Sequence, residues 1–239
     1  MFDGAIVVND NERGRNSLAT AGHVPDLFAR FNRRWLNGKT LRPVVVLIGG
    51  NIGTGKSTFA QELTDRLAST NLLPTGLVRS ILQSMYSEAK HPELFRHSYQ
   101  LIELAEDHSD ELGIALFSSQ AAMIQAALER IISFAFSEGQ NWIIEGNHVT
   151  AGFILKMREQ FPVIGLGLRV SDERRYKKLV SGPTHHRRLT RRQHEFTRTV
   201  HDHLVKEFEE HSIPLFEYTE TQTALAYVAT EVDLEVVGS

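Results

Sequence analysis

Short apolar runs of strand length alternate with longer amphipathic stretches from residue 43 onward. The runs at 44–48, 142–144 and 162–170 show no regular polar alternation, as expected of parallel strands that are covered on both faces. Strands that are separated by helices predict a parallel sheet with right-handed crossovers. The pattern therefore predicts an α/β fold with three layers.

The same pattern places the individual elements. A helix is predicted over Val24–Leu36, where large apolar residues recur at spacings of three and four, and residues 5–8 form a candidate strand. Residues 1–40 are interpreted as an N-terminal appendage to a domain that spans residues 41–239. Within that domain, strands are predicted at 44–48, 72–75, 142–144, 162–170 and 214–216, and helices at 56–68, 77–87, 97–105, 114–136 and 221–231.

Composition narrows the class of protein. The chain has 239 residues, of which 41% are hydrophobic, so it can bury a sizeable core. Its 26 basic and 29 acidic residues give a net charge of −3, from which no general affinity for polyanions follows. The absence of cysteine excludes disulfides, thiolate zinc sites and cysteine nucleophiles. There is no apolar signal core and no apolar run of the roughly 18–20 residues that cross a membrane, so we expect a cytoplasmic protein without a membrane partner.

A glycine-rich bend follows the first strand of the domain. Residues 50–57, GNIGTGKS, fit the phosphate-loop pattern G-x-x-x-x-G-K-[ST] between a buried strand and a helix. Glycines let the backbone curl around an anion, so that its N–H groups and the helix N-terminus point at phosphate. Lys56 supplies a charge for the β- and γ-phosphates, and the Ser57 hydroxyl is a ligand for Mg²⁺. We predict ATP and Mg²⁺ as cofactors, with the nucleotide held by Gly50, Asn51, Ile52, Gly53, Thr54, Gly55, Lys56, Ser57 and Thr58.

A dense basic stretch lies farther along the chain, between Arg174 and Arg198, where Glu195 is the one acidic residue. The GTPase signature Asn-Lys-x-Asp and an apolar run leading into Asp-Glu are both absent, which favours a small-molecule or nucleotide kinase. Such kinases close a basic lid over the phosphates, so a lid is predicted near 181–195, with a solvated helix face as the alternative. In this lid the predicted catalytic residues are Arg188 and Arg192, and the predicted substrate-binding residues are Arg187 and Arg191.

Three further side chains are candidates for the site. Glu145 ends the strand at 142–144, where ligands of parallel sheets bind, so it is predicted to hold Mg²⁺ or to position the acceptor hydroxyl. An N-cap or a surface ion pair is the alternative for Glu145. Arg79 is predicted to bind an anionic substrate, with an exposed helix arginine as the alternative. His148 is a predicted substrate contact, for which a helix-start or packing histidine is the favoured alternative.

Four stretches resemble the 2-phosphoglycerate kinases and their relatives, in the right order over residues 43–232. They are IGGNIGTGKSTFAQELTDRL at 48–67, TGLVRSIL at 75–82, IIEGNHVTAG at 143–152 and FTRTVHDHLVKEFEEHSIPLFE at 196–217. The third is the most specific, being similar to the family's Ile-Glu-Gly-x-His-x-x-Pro-Gly. Near the N-terminus, SLATAGHVPDLFARF resembles a truncated ATP-cone-like segment. Two positions depart from the family, with Gly76 in place of an acidic residue and Ala151 in place of proline.

The resemblance implies an ATP-dependent kinase with a P-loop kinase fold and a helical lid. It implies as acceptor a small, hydroxyl-bearing, anionic metabolite such as 2-phosphoglycerate. Gly76 leaves the acceptor open, because in related kinases the carboxylate at that position helps to place Mg²⁺ or the acceptor hydroxyl. The alternatives are a nucleotide or polynucleotide 5′-end kinase, a catalytically reduced ATP-binding regulatory module, and a toxin-like kinase acting on a sugar nucleotide. Nucleic acid is the less favoured partner, and no oligomeric state is predicted.

Overall fold

The computed structural model describes residues 24–39, 42–181 and 188–237. Its strands lie in the order β2-β3-β1-β4-β5, and every pair is parallel. The predicted parallel α/β architecture is therefore confirmed, while the candidate strand at 5–8 lies outside the described residues. The strands are β1 (Val45–Gly49), β2 (Thr70–Pro74), β3 (Asn141–Glu145), β4 (Val163–Arg169) and β5 (Leu215–Glu217).

Helices connect the strands and cover both faces of the sheet. Two short 3₁₀ helices, Pro92–Phe95 and Ser98–Glu103, follow the third α-helix. Among the described residues the α-helices are α1 (Val24–Leu36), α2 (Lys56–Arg66), α3 (Thr75–Gln83), α4 (Asp110–Ser137), α5 (Ala151–Arg158), α6 (Glu173–Val180), α7 (Arg191–Glu210) and α8 (Thr221–Val237).

Of the predicted elements that fall on described residues, the helix at Val24–Leu36 has the predicted ends, and most others are present with ends that differ by a few residues. Helix α4 begins earlier than predicted, because Ser109 Oγ accepts a hydrogen bond from the Leu112 N–H and caps the helix. The stretch at 97–105, predicted as an ordinary helix, forms the second 3₁₀ helix instead. The N-terminus of this 3₁₀ helix is capped by a hydrogen bond from the His97 N–H to Gln100 Oε1.

Apolar cores lie on both faces of the sheet. Val46 and Ile48 of β1 face a core that is shared with α1, α2 and α8, whereas Val45 and Leu47 face a core that is shared with α3, α4 and α5. This division follows from the two-residue period of a strand. Phe31 of α1 belongs to the first core, so the described part of the predicted N-terminal appendage packs into the domain.

Helix α4 is, among the described residues, the one helix long and apolar enough to cross a membrane by length and composition. No uninterrupted apolar run marks it in the sequence. Its buried residues include Ile124, Leu128 and Ile132, which pack into the second core together with residues of β1 and β3. A place in the domain core therefore accounts for its apolar character.

Three segments that are distant in the sequence meet at one edge of the sheet. The phosphate loop follows β1, α3 follows β2 directly, and Glu145 ends β3 in register with Ile48 and Pro74. Because the carboxyl ends of parallel strands lie at the same edge, the fold assembles a site where ligands of open α/β sheets bind.

Candidate active site

The phosphate loop, residues 50–58, has a conformation that depends on its glycines. Gly53 and Gly55 have φ values of 81° and 82°, in the left-handed region that residues with side chains rarely adopt. A Cβ atom on Gly50 would lie 2.4 Å from Leu168 O, so only glycine fits beside β4. The backbone can therefore curl at this point in the way that phosphate binding requires.

Lys56 lies at the start of α2, and its ammonium group points back at the loop. Lys56 Nζ donates a hydrogen bond to Asn51 O at 2.7 Å, and Thr54 Oγ1 donates to the same carbonyl at 2.8 Å. The lysine is 7% exposed. The loop thus holds a largely buried positive charge against its own backbone.

Ser57 and Glu145 form the second polar feature of the site. Ser57 Oγ donates a hydrogen bond to Glu145 Oε1 at 2.9 Å, which joins the first turn of α2 to the end of β3. A hydroxyl and a carboxylate are oxygen ligands of the kind that Mg²⁺ takes together with waters and phosphates. Among the described residues, no group of three or more His, Cys, Asp or Glu side chains could hold a metal ion.

These residues line one cavity of about 910 Å³. Four cationic side chains line it, namely Lys56 from α2, Arg79 from α3, and Arg175 and Lys178 from α6. Glu145 is the one carboxylate among the described residues that line the cavity. Because positive charge exceeds negative charge in this lining, the cavity favours an anionic ligand.

Arg79 is held in place by the segment that precedes α4. Its guanidinium group donates hydrogen bonds to Arg96 O at 2.9 Å, to Leu94 O at 3.3 Å and to His97 Nδ1 at 3.3 Å. Burial lowers the pKa of Arg79, and the nearby Tyr99 opposes that shift. Arg79 is therefore a fixed cation in the cavity lining, in the place that the predicted contact with an anionic substrate requires.

His148 also borders the cavity, but both nitrogens of its ring are engaged inside the protein. Nδ1 accepts a hydrogen bond from Thr75 Oγ1 at 2.8 Å, and Nε2 donates to Gln120 Oε1 at 3.0 Å. The amide of Gln120 is oriented by two backbone carbonyls that accept from its Nε2, which fixes these directions. Burial first, and then the charges of Arg79 and Lys56, lower the pKa of His148 to about 3, so the ring is neutral.

Two of the predicted lid arginines lie on α7 with acidic partners. Arg191 pairs with Glu195 at 2.8 Å, and Arg192 pairs with Asp110 Oδ1 at 2.5 Å. Neither arginine is part of the cavity lining. In the described arrangement both side chains are therefore directed to partners outside the cavity.

Other residues of the basic stretch do line the cavity. Arg175 and Lys178 reach it from α6, whereas Arg188 is exposed and Arg187 lies outside the described residues. The high density of positive charge predicted that this region contributes to the site, but it did not identify Arg175 and Lys178 as the residues that line the cavity. Their spacing of three residues places them on one face of a helix, but Arg174 and Lys177 have the same spacing, so the sequence carries no signal that selects this pair.

Asn51 connects the phosphate loop to both α6 and α7. Its Nδ2 donates hydrogen bonds to Thr197 O of α7 at 2.7 Å and to Tyr176 Oη of α6 at 3.2 Å. Tyr176 Oη in turn donates to Thr197 O at 3.3 Å. Burial raises the pKa of Tyr176, so its hydroxyl keeps the proton that it donates. This buried connection was not predicted, because the motif assigns Asn51 only to the nucleotide.

A smaller cavity of about 260 Å³ shares Gly55 and Thr58 with the first. Tyr218 and Thr221, which follow β5, line it from the other side. The guanidinium carbon of Arg175 lies 5.8 Å from the centroid of the Tyr218 ring, within the range of a cation–π contact. The phosphate loop thus stands between two cavities, one large and cationic and the other small and bordered by an aromatic ring.

The fold and the site together define a class of protein. A phosphate loop follows the central strand of a parallel sheet, a carboxylate ends the neighbouring strand, and basic helices flank the cavity. This is the architecture of the P-loop kinases.

The sequence of the chain is similar to sequences of known kinases. The chain is 30% identical over 185 residues to the 2-phosphoglycerate kinase of Methanopyrus kandleri, with 74% of this chain and 57% of that protein covered. It is 27% identical over 185 residues to that of Methanococcus maripaludis strain C5, with 73% and 59% covered. It is 26% identical over 223 residues to that of Thermococcus kodakarensis, with 86% and 74% covered. These matches, which cover about three quarters or more of the chain, support a 2-phosphoglycerate kinase-like family.

The chain spans 57% and 59% of the length of the Methanopyrus and Methanococcus proteins. No protein-family model matches the chain.

Proposed function

We propose that the chain is a kinase that transfers the γ-phosphoryl group of ATP, with Mg²⁺, to a hydroxyl of a small anionic metabolite of the 2-phosphoglycerate type. The observation that carries the proposal is the meeting of Lys56, the Ser57–Glu145 pair and Arg79 around one cation-lined cavity. That cavity, of about 910 Å³, has room for an acceptor beside the phosphate loop. The names of the relatives support the acceptor class.

The residues present fit a nucleoside triphosphate and a magnesium ion. Residues 50–58 offer backbone N–H donors around positions where only glycine fits. The smaller cavity suits the nucleoside, because Tyr218 supplies an aromatic face there. Ser57 and Glu145 are the residues that would hold Mg²⁺. When bound, the ion neutralises phosphate charge and orients the oxygens that react.

Catalysis by these residues would rest on positioning and electrostatics. Lys56 neutralises negative charge on the β- and γ-phosphate oxygens. Glu145 accepts the Ser57 hydrogen bond on Oε1, which leaves Oε2 to orient the acceptor hydroxyl or to accept its proton. Arg79 binds the anionic group of the acceptor. Arg175 and Lys178 lie in the same lining and stabilise the charge on the phosphoryl group in transit.

The four lid arginines keep their predicted roles as part of the proposal. Arg188 and Arg192 would stabilise the transferring phosphoryl group, and Arg187 and Arg191 would bind the acceptor. Arg192 could do so only after leaving Asp110, to which it is paired in the described arrangement. We retain the cytoplasm as the proposed location, with ATP and the metabolite as partners.

His148 is proposed to act on the substrate through Thr75 rather than by direct contact. Its Nδ1 accepts the Thr75 hydrogen bond, so the ring fixes the orientation of a hydroxyl that lines the cavity. The low pKa of His148, about 3, keeps that acceptor nitrogen unprotonated at neutral pH.

A phosphate-transfer screen with wild type and Lys56→Ala tests the proposal. Purified protein is given γ-labelled ATP, Mg²⁺ and a set of acceptors that comprises small hydroxy acids including 2-phosphoglycerate, nucleosides and oligonucleotides. We expect wild type to phosphorylate a small anionic hydroxy compound. The rate of this transfer should be lower by at least about 100-fold in Lys56→Ala. Lys90→Ala, which removes an exposed lysine outside the cavity, should not change the rate.

The other outcomes of this screen separate the alternatives. Full transfer by Lys56→Ala would contradict the proposal. Labelling of oligonucleotides alone, with steeply salt-dependent binding, would favour a polynucleotide kinase. ATP binding in calorimetry without any labelled product would favour a regulatory module.

A further inference from the structure

Gly76 lines the large cavity without contributing a side chain. It is the second residue of α3, and Arg79 follows one turn later on the same helix and also lines the cavity. Since α3 begins where β2 ends, and Pro74 of β2 is in register with Glu145 of β3, Gly76 lies at the same edge of the sheet as Glu145. It therefore shares the acceptor side of the cavity with Glu145 and Arg79.

Neither backbone conformation nor packing requires glycine at position 76. Gly76 is helical and is not among the glycines with positive φ. A Cβ atom on Gly76 would have no other heavy atom within 4 Å. Glycine destabilises a helix by up to about 1 kcal/mol relative to alanine, so Gly76 lowers the stability of α3. The missing side chain leaves open space at this point of the cavity lining.

The other glycines in the lining have structural causes. A Cβ atom on Gly146 would lie 1.8 Å from Thr75 Oγ1. Gly53 and Gly55 have left-handed φ values that the phosphate loop needs. Among the described residues that line the cavity, Gly76 is thus the one glycine whose missing side chain is explained by neither conformation nor packing.

We propose that Gly76 is a specificity-determining residue of the acceptor site. The acceptor's carbon chain crosses α3 at Gly76, with its hydroxyl at Glu145 and its anionic group at Arg79. A side chain at position 76 occupies this path, whereas the nucleotide site is built from other elements of the fold. The inference rests on the proposed kinase function and deepens it, because it assigns the part of the cavity that selects acceptors by size.

The test compares Gly76→Gln with Ser80→Gln in the full chain. The first variant puts a long, uncharged side chain into the open space, and the second puts the same side chain on an exposed position of α3 outside the cavity lining. Acceptor KM is measured by γ-phosphate transfer with 2-phosphoglycerate and with the larger ribose 5-phosphate, and the Kd for ATP by calorimetry. We expect Gly76→Gln to raise acceptor KM by about 10-fold or more, equivalent to about 1.4 kcal/mol, with the Kd for ATP unchanged. Ser80→Gln should change neither quantity.

The remaining outcomes decide against the inference in distinguishable ways. An unchanged acceptor KM in Gly76→Gln overturns the role of Gly76 and leaves the kinase function standing. A parallel weakening of ATP binding also overturns it, since the substitution then acts on the phosphate loop. If wild type binds ATP but phosphorylates no acceptor, the proposed function falls and the role of Gly76 falls with it. If Gly76→Gln does not fold, Gly76→Ala, for which the structure leaves space, takes its place, and an unchanged acceptor KM again overturns the inference.

Discussion

Ser57 Oγ donates a hydrogen bond to Glu145 Oε1 at 2.9 Å, and so joins two residues that are 88 positions apart in the sequence. The contact exists because β1 and β3 are neighbours in register, with Ile48 opposite Glu145. Each residue alone has an ordinary structural interpretation, as a helix-start serine or a strand-end acid. Together they place a hydroxyl and a carboxylate beside the phosphate loop, and these are the oxygen groups to which the proposed magnesium ion would bind.

The first prediction concerns the charge of Glu145. Glu145→Gln keeps the size of the side chain and an oxygen that can accept from Ser57, but it removes the carboxylate. We expect the rate of phosphate transfer to fall by at least about 100-fold, because a positioned base or metal ligand contributes about 10²- to 10⁴-fold. The concentration of Mg²⁺ needed for half-maximal activity should rise. A magnesium titration of the steady-state rate measures both effects.

Asp65→Asn is the control for Glu145→Gln. Asp65 lies on α2 outside the large cavity and accepts a hydrogen bond from Gln61, so its neutralisation should leave the rate and the magnesium dependence unchanged. A Glu145→Gln variant with wild-type rates at all magnesium concentrations would remove Glu145 from the site.

A second prediction concerns Gly146, which follows Glu145. A Cβ atom at Gly146 would lie 1.8 Å from Thr75 Oγ1, and the residue has a φ of 157°. Gly146→Ala should lower the free energy of unfolding by about 2–6 kcal/mol, since overpacking and backbone strain each cost about 1–3 kcal/mol. Denaturant unfolding measures the change. Gly76→Ala is the matched control and should be as stable as wild type or more so, and equal stability of the two variants would contradict the geometry.

The sequence predicts the central strands well and the edge strand β2 less well, for a physical reason. Strands β1 and β3 are covered on both faces, so their sequences are continuously apolar and end at glycine or an acid. Strand β2 lies at the edge of the sheet, and Leu73 is its one buried residue. A half-exposed strand of five residues carries little periodic signal. The prediction of a strand at 72–75 was therefore weak, and the strand lies at Thr70–Pro74.

The parts of the candidate site that belong to local sequence motifs could be predicted from the sequence. The phosphate loop follows from its glycines and lysine, and the approach of Glu145 follows from parallel-strand topology. Which basic residues face the cavity could not be read from charge density. That choice depends on how α6 packs, and the burial of Tyr176 and Val180 turns Arg175 and Lys178 toward the cavity.

A third prediction uses the buried ring of His148. The pKa of His148 is about 3 in the folded protein, against 6.5 for an ordinary histidine. Between these values the unfolded chain binds a proton that the folded chain does not. Above pH 6.5 the ring is neutral in both states, and His148 does not lower the free energy of unfolding. As the pH drops from 6.5 toward about 3, the free energy of unfolding falls. One such group contributes a slope of up to about 1.4 kcal/mol per pH unit.

His148→Gln isolates this contribution. The variant should be less stable at pH 7, because hydrogen bonds to Thr75 and Gln120 are disturbed, but its stability should depend less on pH between 4 and 6 than that of wild type. Denaturant unfolding at several pH values measures the slope. His211→Gln, at an exposed position, is the control and should keep the wild-type slope. Identical slopes for His148→Gln and wild type would show that His148 does not carry the effect.

The last prediction concerns the connection between the phosphate loop and the helices α6 and α7. Tyr176→Phe removes a hydroxyl that accepts from Asn51 and donates to Thr197 O, so it should cost about 1 kcal/mol of stability and weaken ATP binding. Asn51→Ala should act through the same contacts. The double variant should therefore depart from additivity by about 0.5–3 kcal/mol in a thermodynamic cycle of unfolding free energies. Tyr86→Phe, at an exposed ring, should change neither stability nor ATP binding. Strict additivity of Asn51→Ala and Tyr176→Phe would mean that the phosphate loop and the helices α6 and α7 are stabilised independently.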